Sequence, residues 1–277
     1  MDPAHSPDHR PRGVALPSVP QGTAAAGVGA ARVAAPSAMA AVPKHTVGTT
    51  PVAERPRYAD RRAAGVALAE ALACRHWDTP PVVLALPRGG VPVALEVALR
   101  LHAPMGLLLV RKLGAPTQPE LAVGALAQWQ PEQPALRVTD DALLRWTGTT
   151  PQALASHTQR ETAELARRRE RYLAGRALPA LAGRTVILVD DGLATGATAR
   201  AAARCARLAG PARLVLAVPV APSDTVRALA AEVDEVLCLW QPPDFRAVGA
   251  HYLDFRQVED EEVTAALARL DAPRAQV

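Results

Sequence analysis

Short, continuous apolar runs alternate with helical segments along most of this chain, and this alternation narrows the choice of fold more than any other feature. The runs do not alternate apolar with polar residues, so each is typical of a strand that is covered on both faces. We therefore predict an α/β domain that is doubly wound, with a mostly parallel central sheet and helices on both faces. The five runs are Val82–Leu86, Gly106–Val110, Thr185–Val189, Leu214–Val220 and Val236–Trp240.

Composition divides the chain into two parts. Residues 1–55 are rich in Ala, Pro, Gly, Ser and Thr and show no helical or strand period, which predicts a disordered tail. A secretory leader is the alternative, but Arg32 and Pro36 interrupt the small apolar stretch, and acidic residues stand where a basic leader belongs. Residues 56–277 are predicted to form one domain, with a helical insertion or hood at 128–183 that includes a long charged helix from Thr150.

Charge and cysteine content exclude several classes of protein. The net charge is +4 over 277 residues and only 3% of residues are aromatic, so a nucleic-acid partner is not expected. No run of about 18 apolar residues exists that could cross a membrane. The three cysteines, Cys74, Cys205 and Cys238, lie far apart, which argues against a disulfide scaffold or a zinc ribbon and fits a reducing cytoplasm.

An acidic pair followed by a Gly/Thr turn comes directly after the most hydrophobic run. Asp190 and Asp191 stand at the exit of that strand, where buried carboxylates are costly unless they bind something. Carboxylates accept hydrogen bonds from neighbouring sugar hydroxyls. The turn Ala194–Thr198, which contains Thr195, Gly196 and Ala197, opens a helix whose free amides suit a phosphate. The alternative for any one of these residues is an ordinary helix cap.

Two further loops carry positive charge to the same predicted sheet edge, because the carboxyl ends of parallel strands lie together. Pro87, Arg88, Gly89 and Gly90 follow the first run, and paired glycines with an arginine suit an anion, although such a loop is common. Arg111 and Lys112 are expected at the end of the second run. Lys112 is the only lysine after residue 55, and the alternative is an ordinary surface basic pair.

The string Val186–Thr198 resembles the signature of type I phosphoribosyltransferases that binds 5-phosphoribosyl-1-pyrophosphate (PRPP). The resemblance implies that Asp190 and Asp191 hold the ribose hydroxyls and that Ala194–Thr198 holds the 5′-phosphate. It also implies that Pro87–Gly90, together with Arg111 and Lys112, contacts pyrophosphate. The whole pattern is similar to a group of bacterial phosphoribosyltransferases whose acceptor is unassigned.

The segment 240–258 is similar to the base-binding tail of hypoxanthine-guanine phosphoribosyltransferases. On that resemblance Phe245 stacks on the base and Asp254 lies near magnesium or pyrophosphate, while a strand with ordinary core packing is the alternative. Ala194 departs from the oxopurine enzymes, which carry aspartate at this place, and resembles adenine-type loops. The identity of the base therefore stays open.

The resemblance implies an enzyme that displaces pyrophosphate from PRPP by a nitrogen nucleophile, with Mg²⁺ as cofactor. Arg88, Lys112, Asp190 and Asp191 are the predicted catalytic residues, and Mg²⁺ is expected to bind PRPP rather than a protein side chain directly. A small nitrogenous acceptor, nucleotide salvage and a cytoplasmic location follow, and a homodimer is left open. The alternative is a PRPP-binding regulator that has lost the chemistry. Such regulators append a DNA-binding domain, and residues 1–55 are too rich in Ala and Pro for a helix-turn-helix.

Overall fold

The computed structural model describes residues 57–116, 118–130, 132–173 and 175–271. The predicted tail, 1–55, lies outside these residues. The elements in chain order are α1 (Arg61–Ala73), β1 (Val82–Ala85), α2 (Gly90–Leu101), β2 (Met105–Leu107), β3 (Leu109–Ala115), β4 (Gln118–Gln128), β5 (Leu136–Thr139), α3 (Asp141–Trp146), α4 (Pro151–Leu173), β6 (Thr185–Val189), α5 (Ala197–Leu208), β7 (Arg213–Val220), α6 (Ser223–Leu229), β8 (Glu235–Trp240) and α7 (Asp260–Asp271).

The central sheet is parallel throughout, with the strand order β2-β1-β6-β7-β8. Its apolar residues point to both faces, and β1 is buried along its whole length. The chain leaves β1 towards β2 on one side and leaves β6 towards β7 on the other. The direction of winding therefore reverses between β1 and β6, which is the place where α/β sheets bind ligands.

Helices cover both faces of this sheet, as predicted. On one face, the core joins α1, α2 and α7 to inward-facing residues of the strands such as Val83 and Ile187. On the other face, α5 and α6 pack against residues such as Leu84 and Leu188. The α/β, doubly wound prediction is confirmed. Within the described ranges, no helix is both long and apolar enough to span a bilayer.

The second apolar run forms two strands rather than one, which corrects the prediction for Gly106–Val110. The break falls at Leu108: β2 belongs to the central sheet, whereas β3 pairs antiparallel with β4 in a separate sheet of order β3-β4-β5. Leu108 itself is fully buried. Arg111 and Lys112 consequently lie within β3 rather than at the end of a parallel strand, and because strand side chains alternate, the two point to opposite faces.

The segment predicted as a helical insertion, 128–183, is mixed in structure. It holds α3 and the 23-residue α4, but it also holds β5, which pairs with β4. Leu165 and Tyr172 are the buried residues of α4, and both join the core that contains α2 and α7. The other described residues of α4 are partly or fully exposed, which explains its high content of charged side chains.

Candidate functional site

The acidic pair lies at the carboxyl end of β6, the middle strand of the central sheet. The backbone N–H of Asp191 donates to Oδ1 of Asp190 at 2.9 Å. Burial raises the pKa of Asp190 well above its usual range, and the charge of Asp191 raises it further. Burial also raises the pKa of Asp191, although the nearby Arg61 guanidinium opposes that rise. The turn therefore holds two crowded, poorly solvated carboxyl groups that a hydrogen-bonding ligand would stabilise.

The glycine loop after β1 lies directly against this acidic pair. A Cβ atom on Gly89 would stand 2.1 Å from Oδ2 of Asp191, and one on Gly90 would stand 2.6 Å from the Val189 carbonyl oxygen. The Pro87–Arg88 peptide bond is cis. The close approach explains why both positions are glycine. The two loops that the sequence singled out are therefore neighbours, as a shared ligand requires.

A cavity of about 300 Å³ begins at Gly192, the residue after the acidic pair, and runs along the start of α5. Its lining does not include the acidic pair itself or the loop 87–90. Gly196 precedes the helix with φ +72°. The hydroxyl of Thr225, in α6, donates to the Ala194 carbonyl at 2.7 Å and so holds the turn in place. Lys112 of β3 also lines the cavity. The lining residues are Lys112, Ala122, Gly192, Leu193, Ala194, Thr195, Gly196, Ala197, Thr198 and Val248.

Two of the predicted basic site residues, Arg88 and Arg111, are held by carboxylates at or beside helices. Nη1 of Arg88 lies 3.5 Å from Oδ1 of Asp260 and 3.7 Å from Oε2 of Glu259, at the start of α7. Arg111 forms an ion pair of 2.6 Å with Glu161 of α4. Arg111 is thus directed at α4, whereas its neighbour Lys112 lines the cavity.

Neither Phe245, predicted to stack on the base, nor Asp254, predicted to lie near magnesium or pyrophosphate, is among the residues that line the cavity. Phe245 stacks on His251 with ring centroids 5.4 Å apart. Asp254 has a side chain that is 58% exposed, and its Oδ1 accepts the backbone N–H of Arg256 at 3.0 Å. Val248 is the residue of the segment 240–258 that lines the cavity. The aromatic cluster in this segment therefore packs largely against itself and against Tyr58.

Arg61 contacts the acidic pair, and the sequence analysis did not single it out. Its Nε donates to Oδ2 of Asp191 at 2.7 Å. The residue lies 130 positions before its partner, in an arginine-rich chain, so no local motif marks it. Asp260, the partner of Arg88, was missed for the same reason.

No cluster of three or more His, Cys, Asp or Glu side chains that could hold a metal ion occurs among the described residues. Asp190 and Asp191 are the acidic side chains at the centre of the site, and Asp191 forms an ion pair of 2.7 Å with Arg61. Their crowded negative charge fits a cation that a ligand brings with it.

The fold and this site together define the class: a parallel α/β protein of the type I phosphoribosyltransferase kind, with its acidic turn and its glycine loop at the switch point of the sheet. A family model described as "Phosphoribosyl transferase domain" matches residues 57–254. The chain belongs to this phosphoribosyl transferase family, which confirms the resemblance inferred from Val186–Thr198.

Similarity to individual proteins agrees with this assignment. Two curated proteins from strains of Mycobacterium tuberculosis, both named "Putative phosphoribosyl transferase", are 47% identical over 212 residues, which are 76% of this chain and 46% of each of them. The chain thus spans about half the length of these relatives. The crystal structure of TT1426 from Thermus thermophilus is 46% identical, with a TM-score of 0.64, over 77% of this chain and 99% of that chain.

Proposed function

We propose that this protein is an enzyme that transfers the 5-phosphoribosyl group of PRPP, with Mg²⁺, to a small nitrogenous acceptor of the nucleobase type and releases pyrophosphate. One observation carries the proposal: the glycine loop packs against Asp191, 2.1 Å from where a Cβ of Gly89 would stand. A ribose held by the acidic pair would therefore have its C1 substituent beside the loop that carries Arg88.

The acidic pair and the cavity that begins beside it at Gly192 suit the two ends of phosphoribose. Asp190 and Asp191 would accept hydrogen bonds from the ribose hydroxyls. The turn Ala194–Thr198 and the start of α5 would bind the 5′-phosphate through free backbone N–H groups, through the hydroxyls of Thr195 and Thr198, and through the positive end of the helix dipole.

Departure of pyrophosphate would be assisted electrostatically, because negative charge builds up on the leaving group while the sugar becomes oxocarbenium-like. We assign this role to Arg88, Lys112 and the glycine loop. The Gly90 N–H already donates to the Leu86 carbonyl at 3.0 Å, so Gly90 would contribute by its lack of a side chain and Gly89 would supply the amide. Arg111 would act less directly, since Glu161 already holds its guanidinium at 2.6 Å. A leaving group this stable reduces the need for a protein base.

Bound Mg²⁺ would neutralise pyrophosphate oxygens and so stabilise the leaving group. We assign it to PRPP itself, with Asp190 and Asp191 acting on the ribose hydroxyls that bind the ion rather than on the ion. The crowding of the two carboxylates supports this assignment, because a neighbouring divalent cation lowers the cost of keeping both ionised.

The acceptor would enter beside the segment 240–258. Val248 supports this position, since it lines the cavity together with Lys112. Phe245 remains the proposed stacking residue, through the ring face that does not meet His251, and Asp254 remains a proposed pyrophosphate-side residue. Ala194 favours an adenine-type over an oxopurine-type loop. A place in nucleotide salvage, in the cytoplasm, belongs to this proposal, and the free thiols of the three cysteines support it.

The test is pyrophosphate release from PRPP and Mg²⁺ across a panel of nucleobases and related nitrogen heterocycles, with calorimetric PRPP binding measured in parallel. The double variant Asp190→Asn with Asp191→Asn should bind no PRPP. Binding without release for any acceptor would instead favour the regulator described above. PRPP binding by the double variant that equals the wild type would defeat the ribose assignment.

A further inference from the structure

We propose that Arg61 is a positioning residue for ribose recognition: it fixes Asp191 so that one carboxylate oxygen faces the sugar. The inference rests on the proposed function, because it assigns a ribose to the acidic pair. It goes beyond that function by placing part of the binding machinery on α1, more than a hundred residues before the PRPP signature.

The Arg61 guanidinium has three separate contacts. Nε donates to Oδ2 of Asp191 at 2.7 Å, and Nη1 donates to the backbone carbonyl of Arg256 at 2.7 Å. The guanidinium carbon lies 3.8 Å from the centroid of the Phe255 ring, in a cation–π contact. The side chain is only 11% exposed. The guanidinium therefore cannot turn away from Asp191 without breaking two other interactions.

Asp191 is held on the remaining sides as well. The hydroxyl of the buried Tyr252 donates to its backbone carbonyl, and Gly89 packs against its carboxyl group. Oδ2 is taken by Arg61, whereas no side chain of the described residues donates to Oδ1. The arrangement leaves Oδ1 to accept a hydrogen bond from a sugar hydroxyl, with the carboxylate already oriented for it.

This assignment also gives a role to the aromatic residues at 252–255. Phe255 and Tyr252 contact each other, with ring centroids 5.0 Å apart, and each fixes a different part of the Arg61–Asp191 pair. A buried ion pair is a poor device for stability alone, because desolvation offsets most of its attraction. Its placement on a substrate-binding carboxylate, in a rigid surrounding, is what a positioning role requires.

The test compares Arg61→Gln and Arg61→Lys with Arg62→Gln in the full chain. Arg62 is the matched control, since it is the next residue of α1 and pairs with Glu96 at 3.2 Å, but its side chain is 72% exposed. Calorimetry would measure ribose 5-phosphate and, separately, inorganic pyrophosphate with Mg²⁺. Arg61→Gln should weaken ribose 5-phosphate binding about 10-fold or more, the scale of one charge-assisted hydrogen bond, and leave pyrophosphate binding unchanged.

A pH series separates positioning from general damage. Arg61 opposes the burial that raises the pKa of Asp191, so its removal lets that pKa rise further. A protonated carboxyl loses an acceptor, and ribose 5-phosphate binding should therefore fail at a higher pH in Arg61→Gln than in the wild type. The groups that face Asp191 are Arg61 from α1, Asp190 from the same turn and Tyr252 from the C-terminal segment, and the last two are unchanged in the comparison.

The outcomes are distinct. Arg61→Lys keeps the positive charge but loses the planar set of guanidinium donors. Its affinity for ribose 5-phosphate should therefore lie between that of the wild type and that of Arg61→Gln. If Arg61→Gln loses its fold by circular dichroism, Arg61→Lys carries the same comparison. Equal ribose 5-phosphate affinity and equal pH dependence in the wild type and in folded Arg61 variants would overturn the positioning role. A wild type that binds neither ribose 5-phosphate nor PRPP would instead overturn the proposed function.

Discussion

The site requires a residue without a side chain at position 89. The φ of −58° at Gly89 suits any residue, so alanine would meet no backbone strain, but its Cβ would stand 2.1 Å from Oδ2 of Asp191. Gly89→Ala should therefore displace the carboxylate and weaken PRPP binding at least about 10-fold, a loss of about 1.4 kcal/mol, by calorimetry.

The matched control for that substitution is Gly210→Ala. Gly210 has a φ of +67° and open space around its Cα, so alanine there should lower stability by about 1–2 kcal/mol and leave PRPP affinity unchanged. Unchanged PRPP affinity in Gly89→Ala would show that the ribose does not bind at the acidic pair.

Arg88 is the residue on which pyrophosphate departure depends in the proposed function. Removing one positioned donor of this kind reduces turnover by roughly 100-fold. Arg88→Ala should show a loss of that size in steady-state pyrophosphate release, whereas Arg100→Ala, at the exposed end of α2, should match the wild type. A change below about threefold, far under the usual effect of such a donor, would remove Arg88 from the mechanism.

Among the elements, α4 carries a cluster of ion pairs centred on Glu164, away from the buried Leu165 and Tyr172. Glu164 accepts from Nε and Nη2 of Arg167 at 2.7 and 2.9 Å and from Nε of Arg168 at 2.8 Å. These hydrogen bonds lower the pKa of Glu164 to about 2, and the hydrogen bond from Arg167 has the largest effect. The carboxylate thus contributes stability above its ordinary pKa and loses it as pH falls towards 2.

Glu164→Gln should consequently destabilise the protein at pH 7 by on the order of 0.5–1 kcal/mol, since the ion pairs are partly exposed and screened. The difference between variant and wild type, measured by urea unfolding, should shrink as pH falls from about 4.5 towards 2, as this carboxylate protonates. Glu170→Gln on the exposed side of the same helix is the control and should change stability little at either pH. A difference that is constant with pH would show that the Glu164 charge is not responsible.

The elements themselves were largely readable from the sequence. Strands at 82–86, 185–189 and 214–220 were predicted within a residue of β1, β6 and β7, because each is an apolar run bounded by turn residues. The break at Leu108 was not predicted, since the apolar run continues through it and only the pairing with β4 shows that the chain changes sheets. Pairing between distant segments leaves no trace in a local pattern.

For the whole molecule too, the sequence predicts features that lie within a short motif but not contacts between residues that are distant in the chain. The PRPP signature and the glycine loop each occupy one short string, so the sequence could identify them, and the parallel topology then brings them together. The side chains that hold them, Arg61 and Asp260, come from α1 and α7. Their role follows from tertiary contacts over 130 and 172 positions, which one sequence does not reveal.

Because the site is assembled from segments that are distant in sequence, its ligand should stabilise the folded chain as a whole. PRPP with Mg²⁺ at about 100 times its Kd should add about 2.7 kcal/mol of stability, visible as a rise of several degrees in Tm. The double variant Asp190→Asn with Asp191→Asn should lose this rise, whereas Asp78→Asn, at a side chain that is 98% exposed, should keep it. Chelation of Mg²⁺ should reduce the rise in the wild type, since the ion binds with PRPP. An equal rise in the double variant would mean that PRPP binds elsewhere on the molecule.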